Sequence, residues 1–386
     1  MSTISDYRTY TLVSTVERVR KLSDSIEVTW ADNRVSRFHN LWLRDNCPCS
    51  ECNYSVTKEQ VFQIADVPRN LQAETARPNP AGGLKLVWDD AHVSDFSPEW
   101  LRAHAYDDAS LQERQARKAK TRPWLANLTL PIFQYDEIMS DDEALLAWLT
   151  HLRDVGLTQV QGVPQQAGSI KPLANRISFI RESNFGVLFD VRSKADADSN
   201  AYTSFNLPLH TDLPTRELQP GVQFLHCLLN DANGGNSSFV DGFSIAHALR
   251  EEHAEAFELL TNVPVEFRNK SRTSDYRCVA PVIALNAMGE IAEVRMANFL
   301  RAPFEMPEAV MKPFYFAYRR FIELTRESHF QFSKRLEAGQ MWAFDNRRVM
   351  HARDAFDPAT GDRHFQGCYL DRDELLSRIY VLERSV

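Results

Sequence analysis

No stretch of this 386-residue chain approaches the roughly 18 consecutive apolar residues that a bilayer-crossing helix needs, so none is expected. The first residues, Met-Ser-Thr-Ile-Ser-Asp-Tyr-Arg, carry an early acid and no apolar core, which speaks against an export signal. Positive charge is not in excess: Lys and Arg total 44 against 52 Asp and Glu, a formal net charge of −8. That balance argues against a phosphate-backbone partner, so neither nucleic acid nor a membrane is expected as one. No low-complexity tract and no internal repeat stands out. A reducing cytoplasm is then the expected setting, where disulfides rarely persist.

Cysteine is scarce, at six residues, but unevenly spread. Cys47, Cys49 and Cys52 crowd one turn, Asp45-Asn46-Cys47-Pro48-Cys49-Ser50-Glu51-Cys52. A closed tetrahedral zinc site takes four soft or borderline ligands. Three thiolates on a turn stiffened by Pro48 supply three of them. His39 and His92 are candidates for the fourth, with His92 favoured because it opens a hairpin strand. Cys227, Cys278 and Cys368 stand singly in apolar, strand-like segments and are expected to be buried packing residues.

Alternation of apolar and polar residues over Ser25–Trp30, the Asp32-Asn33 step and then Val35–Phe38 predict a hairpin. Leu84–Trp88 and His92–Phe96 predict a second, followed by a short helix over 97–104 with Ser97 as N-cap and Pro98 at its first position. Residues 109–122 are polar and basic; a solvated linker or helix is the reading favoured over a contact with an anionic partner, because the overall charge is negative. The expected domains are therefore 1–108, a linker at 109–128, and 129–386. In the last, a helix is expected from Asp141, with further helices near 244–260 and 307–325. Strands are expected near 222–227, 264–267, 281–285, 340–344 and 365–369. Many short strands with few helices predict a mainly β fold with flanking helices. The expected architecture is a double-stranded β-helix (jelly roll) catalytic domain after a small β-rich, zinc-binding one.

The chemistry concentrates in Leu207-Pro208-Leu209-His210-Thr211-Asp212. Non-haem Fe(II) oxygenases hold iron with two imidazoles and one carboxylate and leave the opposite face open. Residues i and i+2 of an extended segment point the same way, so His210 and Asp212 can supply two ligands. His351, after Trp342-Ala343-Phe344-Asp345-Asn346-Arg347-Arg348-Val349-Met350, can supply the third. Arg363 follows before the strand-like Phe365–Tyr369, where a guanidinium could grip a dicarboxylate in bidentate fashion.

Three features together resemble the γ-butyrobetaine dioxygenase family: Asn-Cys-Pro-Cys-x-x-Cys after Leu41-Trp42-Leu43-Arg44-Asp45; His-x-Asp; and Phe344–His351 with Gly367-Cys368-Tyr369-Leu370-Asp371. This is the butyrobetaine and trimethyllysine hydroxylase branch of the taurine-dioxygenase-like Fe(II)/2-oxoglutarate oxygenases. The resemblance runs over nearly the whole chain. It implies that His210, Asp212 and His351 hold Fe(II), that Arg363 binds the distal carboxylate of 2-oxoglutarate with Ser237 beside it, and that Cys47, Cys49, Cys52 and His92 hold structural zinc. It further implies a homodimer that consumes O2, with ascorbate as a stimulant. The implied reaction is hydroxylation of γ-butyrobetaine to L-carnitine, and hence a place in carnitine biosynthesis.

A quaternary ammonium donates no hydrogen bond and is bound by aromatic faces. By the same resemblance, Phe185, Phe189, Tyr202 and Tyr369 form that cage. For Phe185 and Phe189, at helical i,i+4 spacing, plain core packing is the competing reading. Leu213, next to Asp212, departs from the family, whose animal members carry a tyrosine there. The alternatives are another trimethylammonium substrate (trimethyllysine or a trimethylaminoalkyl phosphonate) and a non-catalytic metal-binding assembly protein.

Overall fold

The computed structural model describes residues 7–117, 121–192 and 203–384. The chain divides into two compact units, Met1–Ala119 and Lys120–Val386.

The first unit contains two three-stranded antiparallel sheets: Val16–Lys21, Ser25–Trp30 and Val35–His39; then Ala73–Pro78, Leu84–Trp88 and Val93–Phe96. Each is followed by a short helix, Asn40–Asp45 and Pro98–Ala103, the latter capped by Ser97 as expected. The two halves repeat each other, which corrects the expectation of no internal repeat. Trp30, Asp32, Val35, Ser36, Phe38, Trp42, Leu43 and Arg44 recur at constant offset as Trp88, Asp90, Val93, Ser94, Phe96, Trp100, Leu101 and Arg102. The matches serve equivalent purposes. Buried Trp30 donates its indole N–H to Ser36 Oγ at 3.0 Å, and Trp88 donates to Ser94 Oγ at 2.9 Å. Asn33 and Ala91, at the equivalent turn positions, both have φ of 64°. The halves also exchange charges: Arg44 pairs with Asp90 at 3.4 Å and Arg102 with Asp32 at 3.0 Å. The repeat is short and interrupted by unlike residues, so it shows only once the strands are aligned. Residues 108–117, at the start of the basic stretch, form a helix tied to this unit by an ion pair between Arg34 and Glu113.

The second unit is a two-sheet jelly roll flanked by helices. Its larger sheet runs Ile132–Gln134, Leu157–Gln161, Met341–Asp345, Val222–Asn230, Arg363–Leu370 and Phe189–Val191; the smaller runs Leu207–His210, Val349–Arg353, Ser237–Asp241 and Phe332–Lys334. Phe239 of the smaller sheet packs edge-on to Trp342 and Phe344 of the larger, with centroids 5.1 and 5.5 Å apart. Alternation along each strand divides its side chains between two faces. Cys368 and Leu370 pack under the helices Asp142–Val155 and Arg372–Leu382, whereas Arg363 and Tyr369 point to a cavity. The helix expected over 244–260 is two, Gly242–Glu252 and Ala254–Asn262, broken at His253 with φ of −140°. Among the described residues, no helix is long and apolar enough to cross a membrane. Of the scattered cysteines, Cys227 and Cys368 are buried. Cys278 is only half-buried and accepts a hydrogen bond from Arg295, because its strand Asp275–Ala280 belongs to a two-stranded hairpin with one open face.

One buried ion pair fastens the smaller sheet to what surrounds it. Arg348 donates to both oxygens of Asp241, at 2.7 and 3.0 Å, and to the carbonyls of Asp154 and Arg122. Asp241 also accepts from the backbone N–H groups of Trp124 and Phe243, so both charges of the pair are answered. Removing one partner of such a pair costs about 3–5 kcal/mol, because the other charge stays buried alone. Asp241→Ala is therefore expected to lower the melting temperature sharply, and Asp241→Leu with Arg348→Met to recover much of the loss. Wild-type melting of the single variant in a calorimeter would refute this.

Candidate metal and substrate site

His210 ends its strand and His351 lies directly opposite it in the antiparallel pairing. Their rings are 4.2 Å apart between centroids. His210 Nδ1 is bonded to the Pro208 carbonyl at 2.8 Å, which turns Nε2 towards Asp212. Oδ1 of Asp212 lies 3.2 Å from Nε2 of His210 and 3.9 Å from Nε2 of His351. Burial alone would raise the Asp212 carboxyl, but the hydrogen bond from His210 and the nearby imidazoles hold it well below the usual range. Burial, with the His210 charge, pushes His351 down to about 3. An ionised carboxylate at Asp212 and an uncharged imidazole at His351 are forms that ligate a divalent metal.

The loop after Asp212 is held by residues that the sequence reading passed over. The Asp212 N–H donates to Asn346 Oδ1 at 2.6 Å, and Asn346 Nδ2 returns a bond to the Asp212 carbonyl at 3.0 Å. Gln219 Nε2 donates to the same carbonyl at 3.2 Å. Arg295 donates to the carbonyls of Pro214, Arg216 and Glu217. This fastening supports Leu213 at φ of 51°, a left-handed conformation that costs a non-glycine residue energy and occurs where surroundings enforce it. Asn346 sits in the quoted segment before His351, so its place was visible although its task was not.

The triad faces a cavity of about 820 Å³. Arg363 and Ser237 also line it, from the two sheets. The Arg363 guanidinium is buried, and its Nε and Nη1 have no hydrogen-bond partner among the described residues. Burial and the nearby Arg353 charge push it down to about 9. A buried guanidinium with idle donors calls for an anion, and a carboxylate matches its fork. The cavity therefore has room for a dicarboxylate reaching from the triad to Arg363.

Phe185, Phe189 and Tyr369 line the same cavity, with Leu213 among them. Phe189 lies 4.9 Å from Tyr369 and 6.1 Å from Phe185 between ring centroids. Their i,i+4 spacing is not helical: Phe189 begins a strand, and Gly186, at φ of 93°, turns the chain between them. Gly367 makes room for the wall, because a Cβ there would come within 2.5 Å of the Phe189 ring. Tyr202 lies outside the described residues.

In the first unit, Cys47, Cys49, Cys52 and His92 converge, and His39 instead stacks on Tyr106. The Sγ atoms of Cys47, Cys49 and Cys52 lie 3.3, 3.6 and 3.6 Å from His92 Nε2. A tetrahedral zinc with standard bond lengths would set those edges at about 3.5 Å, so the donor set fits. Asn53 donates to the carbonyls of Cys47 and Cys49, Arg44 donates to Cys52 Sγ, and Asp90 accepts from the His92 N–H.

Residues 120–369 match the taurine catabolism dioxygenase TauD, TfdA family, and residues 17–102 match the gamma-butyrobetaine hydroxylase-like N-terminal family. The chain is 65% identical over 381 residues to the gamma-butyrobetaine dioxygenase of Pseudomonas sp. (strain AK-1), covering 99% of this chain and 100% of that one. It is 28% identical to the gamma-butyrobetaine dioxygenase of Homo sapiens, covering 97% of this chain and 99% of that one. It is 30% identical to the mitochondrial trimethyllysine dioxygenase of Bos taurus, covering 93% and 86%.

The cysteine cluster yields a direct measurement. Metal analysis of protein purified without chelator is expected to find about one zinc per chain, and Cys49→Ser to lower both zinc content and melting temperature. Native protein free of zinc would remove the reading.

Proposed function

The chain belongs to the TauD/TfdA dioxygenase family and is a 2-oxoglutarate-dependent dioxygenase, and from that premise we propose that it hydroxylates γ-butyrobetaine to L-carnitine, as part of carnitine biosynthesis. The observation that carries the proposal is that one cavity collects an open metal triad, an idle buried guanidinium and an aromatic wall. The substrate comes from the 65% identity, over the full length of both chains, to a protein of that name. The bovine relative supports a second reading, trimethyllysine, within the same chemistry. The non-catalytic reading loses ground, because a buried guanidinium with idle donors, as at Arg363, faces the His210, Asp212 and His351 triad across one cavity without a structural task.

In this proposal His210, Asp212 and His351 hold Fe(II), and Arg363, with Ser237 nearby, takes the distal carboxylate of 2-oxoglutarate. Iron, 2-oxoglutarate and O2 supply the oxidising power: one oxygen atom enters a substrate C–H bond, and the other leaves in succinate as CO2 departs. The protein orients the reactants. Three protein ligands leave the remaining positions open. Arg363 sets the direction of the co-substrate, and Phe185, Phe189 and Tyr369 present ring faces to the trimethylammonium group. Tyr202 joins the cage in this reading. Structural zinc at the cysteine cluster, a homodimer, a cytoplasmic setting and stimulation by ascorbate complete the proposal by resemblance.

Two sets of variants test it. His210→Ala and His351→Ala are expected to abolish succinate release with the fold retained. Arg363→Gln is expected to raise the KM for 2-oxoglutarate roughly ten- to a hundredfold, as loss of charge-assisted bonds implies. Succinate release at the wild-type rate by either histidine variant would sink the metal assignment.

The cage has its own test. Phe189→Leu keeps bulk and removes a π face worth about 0.5–2 kcal/mol, so affinity for γ-butyrobetaine is expected to fall roughly three- to thirtyfold. A neutral tert-butyl analogue should lose much less. Equal losses for both ligands would mean that the ring is only a wall.

A further inference from the structure

Tyr369 does two things in the cavity. Its ring packs on Phe189 and forms part of the wall beside the triad. Its hydroxyl donates to Oδ2 of Asp212 at 2.7 Å. The other carboxylate oxygen, Oδ1, is the one that faces Nε2 of His210 and of His351. The two oxygens of Asp212 thus have separate tasks. An unrestrained carboxylate can offer a metal both of its oxygens equally; one whose Oδ2 already accepts an O–H binds preferentially through Oδ1.

Both backbones behind this hydrogen bond are fixed. Tyr369 sits opposite Gln223 in the larger sheet, and its carbonyl accepts from the Arg181 N–H at 2.8 Å. Asp212 is clasped by Asn346 at its N–H and at its carbonyl. The tyrosine ring and its hydroxyl are one rigid body, so a group in contact with the ring face bears on where the hydroxyl sits at the carboxylate.

We propose that Tyr369 is a positioning residue that keeps Asp212 a one-oxygen ligand and couples occupancy of the aromatic wall to the metal centre. The inference rests on the reading of His210, Asp212 and His351 as the metal ligands. It assigns a task to the hydroxyl that a cage residue, acting through its ring alone, does not need. Tyr369→Phe separates the two tasks, because it keeps the ring and removes one oxygen atom.

The test uses the full chain stripped of iron and titrated with Co(II), whose visible absorption reports coordination number. Wild type, Tyr369→Phe, Phe189→Leu and His210→Ala are compared, each with 2-oxoglutarate, before and after γ-butyrobetaine. Wild type is expected to bind one Co(II) in the triad and to change its spectrum when γ-butyrobetaine is added. Tyr369→Phe is expected to bind Co(II) roughly tenfold more weakly, in the range seen when a ligand's supporting hydrogen bond is lost. Its affinity for γ-butyrobetaine in the metal-free protein should stay within about twofold, since the ring face that holds the cation remains. The variant should also lose the spectral change and, with Fe(II), consume more 2-oxoglutarate per product. Phe189→Leu should show the reverse, with weaker γ-butyrobetaine binding and wild-type affinity for Co(II). Wild-type Co(II) affinity and an intact spectral change in Tyr369→Phe would overturn the inference while leaving the triad standing. Undiminished Co(II) binding by His210→Ala would overturn the triad itself, and the inference with it.

Discussion

The pairing of Leu207–His210 with Val349–Arg353 sets His210 against His351, and nearly everything in the cavity inherits its position from that register. On the second strand, Val349 and His351 face the larger sheet, while Met350 packs on the opposite side among the helices. A slip of one residue would put Met350 in the cavity and a histidine into an apolar layer. The turn before the strand holds the register. Arg348 is bound to Asp241 on the neighbouring strand, the Gly242 N–H donates to the Arg348 carbonyl, and Arg347 pairs with Glu293. Asn346, in the same turn, clasps Asp212. The segment 345–351 therefore sets the sheet and places all three triad residues relative to one another.

The same cavity carries a cost that makes sense only with a ligand. Arg363 and Arg353 are both buried, and burial pushes Arg353 down to about 10. Arg353 answers its charge in part by donating to the carbonyls of Thr203 and Phe205. Arg363 is supported by the rings of Phe365 and Phe356, 4.0 and 5.3 Å away, which stabilise a cation without using up its N–H groups. The guanidinium is kept charged and its donors kept available. That is the arrangement expected of a site that gains from an arriving carboxylate what folding alone could not supply.

The candidate metal sites were legible in the sequence because few residue types can do their chemistry: three cysteines on one turn are a strong signal, whereas the His-x-Asp pair is a common one that gains weight only with His351 and Arg363 downstream. Most strands were legible from their apolar pattern: Ser25–Trp30 alternates because one face is buried, and Met341–Asp345, buried on both faces, is a nearly continuous apolar run. What was missed depends on partners far away in the chain. Nothing near Asn346 says that it will clasp Asp212, and nothing near Tyr369 says that its hydroxyl will reach the same residue. The strand Phe189–Val191 is only three residues long and is defined by its neighbour Arg363–Leu370 rather than by its own pattern. The helical spacing of Phe185 and Phe189 misled because the left-handed turn at Gly186 outweighs periodicity.

The repeat in the first unit bears on what a metal does there. At the repeat's offset, Cys49 corresponds to Asp107, Cys52 to Ser110 and His92 to Arg34. In the second corner Arg34 is bound to Ser110 and paired with Asp107 and Glu113. One corner thus gathers three thiols and an imidazole, and its counterpart gathers a guanidinium with two carboxylates and a hydroxyl. Both tie the segment after a short helix to the turn between two strands of the other half. The counterpart does so with no metal chemistry, using ion pairs and a hydrogen bond alone. The cysteine corner needs more, because burial pushes the Cys47 thiol up to about 12 and a neutral thiol makes only weak hydrogen bonds. A zinc ion would turn those thiols into strong ligands and leave no position open for a substrate. Fastening, rather than reaction, is therefore the task that the internal symmetry favours for the cysteine site, whereas the triad in the second unit stops at three ligands.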